Sequence, residues 1–181
     1  MSRLTIPARE AAPAAAQPML DSVERQLGVT PNMYRLLSSS PAVLQAVLSF
    51  SGALSKTLDL KTRERIAIAT AQVNSCDYCL SAHTYLALNL AKLDQAEVAL
   101  NRRGSSSDPK ADAAVRFAVK VTQSRGGVTD ADLQAAKAAG FSEAQILEIV
   151  AVTAENVLTN FINRVAETDI DFPAVLAAEA V

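Results

Sequence analysis

The chain has 181 residues, half of them hydrophobic, no Trp, and a formal net charge of −2. A length of this order suits one domain that buries most of its apolar surface without a metal or disulfide staple. The small acidic balance, with a pI near 5.4, excludes the basic field that nucleic acid requires, and Arg102-Arg103 is too short a run for a phosphate-binding stripe.

Residues 1–17 read as a flexible N-terminal arm: Ala11-Ala12-Pro13-Ala14-Ala15-Ala16 superficially resembles a signal-peptidase site, but no apolar core precedes it. Residues 18–181 read as a single domain. A first helix spans Met19 to Leu27, with Gly28 as its C-terminal cap. Val29-Thr30-Pro31-Asn32 is a turn, a short helical piece runs through Tyr34, Leu36 and Leu37, and Ser40-Pro41 opens a helix that reaches about Lys56. The next helix covers Lys61 to Val73. Asn74-Ser75 interrupts it, and Ser75 is placed to cap a helix from Cys76 to about Ala91.

Asp94-Gln95-Ala96-Glu97 matches a capping box and starts a short helix that frays into Asn101-Arg102-Arg103-Gly104. Ser105-Ser106-Ser107 is a loop. Asp108-Pro109 begins a helix that Gly126-Gly127 ends, and Thr129 caps a segment closing at Gly140. Ser142-Glu143-Ala144-Gln145 is a second capping box, and the helix after it continues past Val165 as the longest in the chain. Val and Ile recur at spacings of three and four rather than two, so the class is all-α, about nine helical pieces around a central helical hairpin. No apolar run approaches the roughly 20 residues of a membrane helix. The expected setting is the cytoplasm. The high apolar fraction points to a homo-oligomer that hides one apolar face.

Both cysteines and the single histidine fall within eight residues, Cys76, Cys79 and His83. Spacings of three and four put them on one face of one helix. At a helix start, free N–H groups and the helix dipole favour a thiolate at Cys76. If Lys61 to Ala91 folds as a hairpin at Asn74-Ser75, Glu64 lies ~16 Å and His83 ~13 Å back from the fold, within one turn of each other. A carboxylate there would fix the tautomer of His83 and raise its basicity, making it a base for Cys79.

Glu64, eleven residues, Cys76, two residues, Cys79, three residues, His83: this pattern resembles the signature of the alkylhydroperoxidase D and carboxymuconolactone decarboxylase superfamily. Gly28-Val29-Thr30-Pro31-Asn32, Arg63-Glu64-Arg65, Asn160-Phe161-Ile162-Asn163 and Asp171-Phe172-Pro173 are similar to its peroxidase-related branch. The resemblance implies an AhpD-like helical fold that forms homotrimers or homohexamers. It implies a thiol peroxidase without a bound cofactor, in which Cys79 attacks a hydroperoxide, Cys76 resolves the sulfenic acid, and His83 with Glu64 relays the proton. A dihydrolipoyl or thioredoxin-like reductant then restores the dithiol. Tyr78 stands where alkylhydroperoxidase D itself has a histidine.

Three other readings compete. The four side chains are a legitimate zinc set, although Cys76 and His83 span ~10 Å along one helix, which is long for a shared metal. The pair could record redox state, or exchange disulfides, without peroxidase turnover. Carboxymuconolactone decarboxylase-like chemistry is weaker, because that enzyme type lacks the cysteine pair. Tyr78 reads as packing first and as a channel wall second. Asn156, Asn160 and Asn163 read as an oligomer contact or a buried network, and Arg63 and Arg65 as solvated or paired across subunits, Arg63 with a minor role on an anionic substrate.

Overall fold

The computed structural model describes residues 2–178, and among them there are nine α-helices, one 3-10 turn and no strand. The helices are α1 (Gln17–Leu27), α2 (Asn32–Leu37), α3 (Pro41–Leu54), α4 (Leu60–Val73), α5 (Asp77–Asn89), α6 (Gln95–Arg102), α7 (Pro109–Ser124), α8 (Asp130–Ala138) and α9 (Glu143–Ala166). The expected all-α class holds, and so do three of the expected caps: Gly28 caps α1 with a φ of 75°, and Thr129 and Ser142 close full capping boxes on α8 and α9. None of these helices is long and apolar enough to cross a membrane.

The fold is arranged around α4, which packs against α5, α6, α7 and α9. Small side chains allow this. Ala67, Ala69 and Ala71 leave room for neighbours on several sides, Ile66 and Ile68 fill the gaps, and all five are buried. Asp59 holds the helix start, its Oδ1 accepting from Thr62 N at 3.0 Å. A charged group inside such a helix must be paired. Glu64 is that group, and its pairing defines the site described below.

Three apolar clusters form the core, and two of them include residues of this helix. One joins Ile66 to Phe117, Phe141, Ile149 and Val152 of α7 to α9. A second packs Ile68 and Ala71 with Cys76, Tyr78, Cys79 and Leu80. The third holds Leu20, Leu37, Leu44 and Val47, together with Ala12 and Ala16. The segment expected to be an arm thus carries two buried residues, and Arg9 pairs with Asp21 of α1.

After α9 the chain returns across the start of α5. Val175 N donates to Ser81 Oγ at 2.9 Å and Ala177 N to Asp77 Oδ1 at 2.8 Å. The Phe172 ring stands edge-on to Tyr78, with centroids 5.9 Å apart.

Two local expectations need correction around α6. Asp94 accepts from Glu97 N at 2.8 Å, but the return half of the capping box is missing. The Glu97 carboxylate instead accepts from Arg65 Nε at 2.7 Å, Asn101 Nδ2 at 3.0 Å, Ser107 N at 3.0 Å, Ser107 Oγ at 2.6 Å and the Ser106 hydroxyl. Arg65 is therefore paired within its own chain. Burial alone would raise the Glu97 pKa, yet these donors hold it well below the usual carboxylate range.

Candidate active site

The turn between α4 and α5 brings the scarce residues together. Cys76 N donates to Ala71 O at 3.0 Å, closing the turn, and Ser75 takes a left-handed φ of 53°. A helix N-cap needs extended backbone, which Ser75 lacks and Cys76 has at φ −96°, ψ 93°. The expectation that Ser75 caps the helix and Cys76 opens it therefore shifts by one residue. Cys76 is the cap, its Sγ accepting from Cys79 N at 3.3 Å.

The two cysteines are free thiols whose sulfurs lie 2.6 Å apart, with Cys76 donating to Cys79. Their environments diverge. The hydrogen bond from Cys76 is the largest influence on Cys79 and outweighs burial; the charge of His83 and the amides of Asn160 and Asn163 act in the same direction, drawing its pKa down to about 7. Cys76, as donor and buried, is pushed far above its usual range. Of the two sequence arguments, the opposite directions of these shifts favour the one for Cys79 over the helix-start argument for Cys76.

His83 Nδ1 lies 2.9 Å from Glu64 Oε2. The hairpin register brings the two level, as the spacing argument expected. Burial would lower the imidazole pKa, but the charge and hydrogen bond of Glu64 outweigh it, with help from Cys79 and Glu155, and the net shift is upward. With Nδ1 engaged by Glu64, Nε2 is the nitrogen left for proton exchange.

A cavity of about 490 Å³ is lined by Cys79, His83 and Glu64 but not by Cys76. Its other walls are largely apolar and include Met33, Tyr34, Leu86 and Phe172. Tyr78 packs edge-on against Phe172 and lines the cavity, and its hydroxyl accepts from Met33 N at 3.0 Å. Arg63 also lines the cavity, with its guanidinium donating to Ser55 O at 3.0 Å and to Leu58 O.

Two features of the site lay outside the expected set. Glu155 of α9 lines the cavity and accepts from the Ser51 hydroxyl of α3; burial pushes its pKa up, against the opposing effects of Ser51, His83 and Arg63. One of three glutamates on an amphipathic helix carries no sequence signal of its own, and only the packing of α3 on α9 shows it. The asparagine stripe does have a signal, its spacing of four and three. It is a buried network within the chain, in which Asn163 Nδ2 donates to Cys79 Sγ at 3.4 Å and Asn160 Oδ1 accepts from Asn74 Nδ2 at 2.9 Å. Among the described residues, no three His, Cys, Asp or Glu side chains converge on one point.

The carboxymuconolactone decarboxylase family model matches residues 41–123, from α3 through α7. No curated protein matches the sequence. Among solved structures, the chain is similar to an uncharacterized peroxidase-related protein with an alkylhydroperoxidase AhpD core from Ralstonia eutropha, at 27% identity and a TM-score of 0.83, covering 94% of this chain and 92% of that one. A peroxidase-related protein from Silicibacter sp. gives 24% identity and 0.81, covering 93% and 91%. A variant of the debrominase Bmp8 in complex with 2,3,4-tribromopyrrole shares the fold at 20% identity and 0.79, covering 94% of each chain. The family match and the structural likeness together support assignment to the alkylhydroperoxidase D/carboxymuconolactone decarboxylase superfamily.

Proposed function

We propose that the protein is a thiol peroxidase that reduces hydrogen peroxide or organic hydroperoxides through a Cys76/Cys79 dithiol–disulfide cycle. His83 takes the proton of Cys79, and the imidazolium is held by Glu64. The Cys79 thiolate attacks the hydroxyl oxygen of the hydroperoxide; the S–O bond forms as the O–O bond breaks, and the departing alkoxide takes the proton from His83 and leaves as alcohol. Cys76 then attacks the sulfenic acid sulfur, forming the disulfide and releasing water. An external dihydrolipoyl or thioredoxin-like dithiol returns two electrons and two protons. The protein works in the cytoplasm as a homotrimer or homohexamer, without a bound cofactor.

One observation carries this reading: only Cys79 of the pair lines the cavity, beside the His83–Glu64 couple, while Cys76 lies against it from behind. The apolar walls leave room for an organic substituent on the peroxide. The test is peroxide consumption with a dithiol reductant supplied, together with a sulfenic-acid trap. Cys79→Ser is expected to lose turnover and to give no trapped adduct, whereas Cys76→Ser loses turnover but accumulates the adduct on Cys79. Full activity in Cys79→Ser would sink the proposal. Slow reaction with every hydroperoxide, alongside a disulfide-dependent change in assembly, would favour a redox sensor instead.

A further inference from the structure

The last long helix presents Asn160 and Asn163 to the cysteine pair, and both are buried, at 0% and 2% exposure. One N–H of Asn163 is tied to Thr159 O at 3.0 Å, which orients the amide so that its nitrogen meets Cys79 Sγ at 3.4 Å. Asn160 gives its oxygen to Asn74, and its own Nδ2 is buried without a hydrogen-bond partner in this geometry. A buried amide donor left idle is costly, and such groups usually await a charge or a ligand. Its influence on Cys79 runs in the same direction as that of Asn163, favouring the ionised form.

We propose that Asn160 and Asn163 form an amide cradle that holds the Cys79 sulfur as a thiolate, with Asn74 orienting Asn160 from the α4–α5 turn. This adds to the Cys76 hydrogen bond and the His83–Glu64 couple one donor in contact with the reacting atom, Asn163, and a second, Asn160, left free beside it on the same helix, and it rests on Cys79 being the attacking thiol. An N–H donor strengthens its bond when the acceptor becomes charged, so the cradle favours thiolate over thiol without contributing a titratable group of its own. The charges that face Cys79 come from elsewhere. Its own helix supplies Cys76, Asp77, Tyr78 and His83, α4 supplies Glu64 through His83, Asp171 of the C-terminal segment faces Tyr78, and Glu155 of α9 acts on His83.

The test follows thiolate absorbance against pH in the full-length protein, in a Cys76→Ser background that leaves Cys79 as the sole thiol. Asn160→Leu and Asn163→Leu each remove one amide donor at similar volume without adding a charge. Each is expected to raise the Cys79 pKa by about one, cutting the thiolate population about tenfold below neutrality. Asn74→Ala, at a half-exposed position in the turn, is expected to give a smaller rise and serves if the buried variants fail to fold. A titration unchanged from the parent in the folded variants overturns the cradle. Peroxide turnover of the wild type is read separately: titrations that shift in a protein without turnover uphold the cradle and reject the peroxidase, and turnover with unshifted titrations does the reverse.

Discussion

His83 sits under opposing influences, burial against the charge of Glu64, and the balance fixes the pH range in which the site can work. The thiolate exists above the Cys79 pKa of about 7, and the imidazolium exists below the raised pKa of His83. The reactive pair needs both forms at once, so its population falls in acid and in alkali alike. Glu64→Gln removes the carboxylate charge, so the upper edge falls; a less charged His83 also supports the thiolate less, so the lower edge rises. Stopped-flow peroxide reduction across pH is expected to show a narrower bell and a peak about a hundredfold lower, and an unshifted bell would rule out the couple. This part of the site was legible in the sequence because spacings of three and four are local helix geometry. Glu155 was not, since it joins the site only when α3 packs on α9, and the sequence carried opposing arguments for Cys76 and Cys79 because their proton balance turns on which residue caps α5.

Caps and turns at element boundaries were likewise readable, being decided within a few residues. Glu97 shows where that stops. Its place in a capping box is local, but its carboxylate is claimed by Arg65 from α4 and by the serine loop that folds back over α6. Glu97→Ala leaves Arg65, 11% exposed at its side chain, without its partner, and is expected to cost about 3 kcal/mol in guanidinium unfolding at neutral pH. Because the folded-state pKa of Glu97 is depressed, its contribution is full above the unfolded carboxylate value and declines as pH falls through the folded one. The gap between wild type and variant therefore closes in acid. A gap independent of pH would mean that the carboxylate charge is not the source of the stabilisation.

Across the whole molecule, α9 has two faces with different duties. Asn160 and Asn163 face the thiols, while Leu147, Leu158, Phe161 and Val165 are exposed on the opposite side at helical spacing. The proposed homo-oligomer requires an apolar face of this kind, and a second copy covering it would hide the hydrophobic content that the composition shows. Leu147→Glu with Val165→Glu is expected to lower the mass measured by light scattering from that of a trimer or hexamer toward the monomer; an unchanged assembly would exclude this face as the contact. The C-terminal return of the chain over α5 has a different consequence. Bonded to Asp77 and Ser81, with Phe172 against Tyr78, it lies over the end of α5 that carries Cys76, and Cys79 remains the sulfur on the cavity. In the proposed cycle, oxidant and reductant would then use one doorway by turns. The two proposed half-reactions would not overlap on one subunit, which would make that cycle ping-pong by architecture and let a bulky peroxide in excess delay its own next turnover by standing where the dithiol enters.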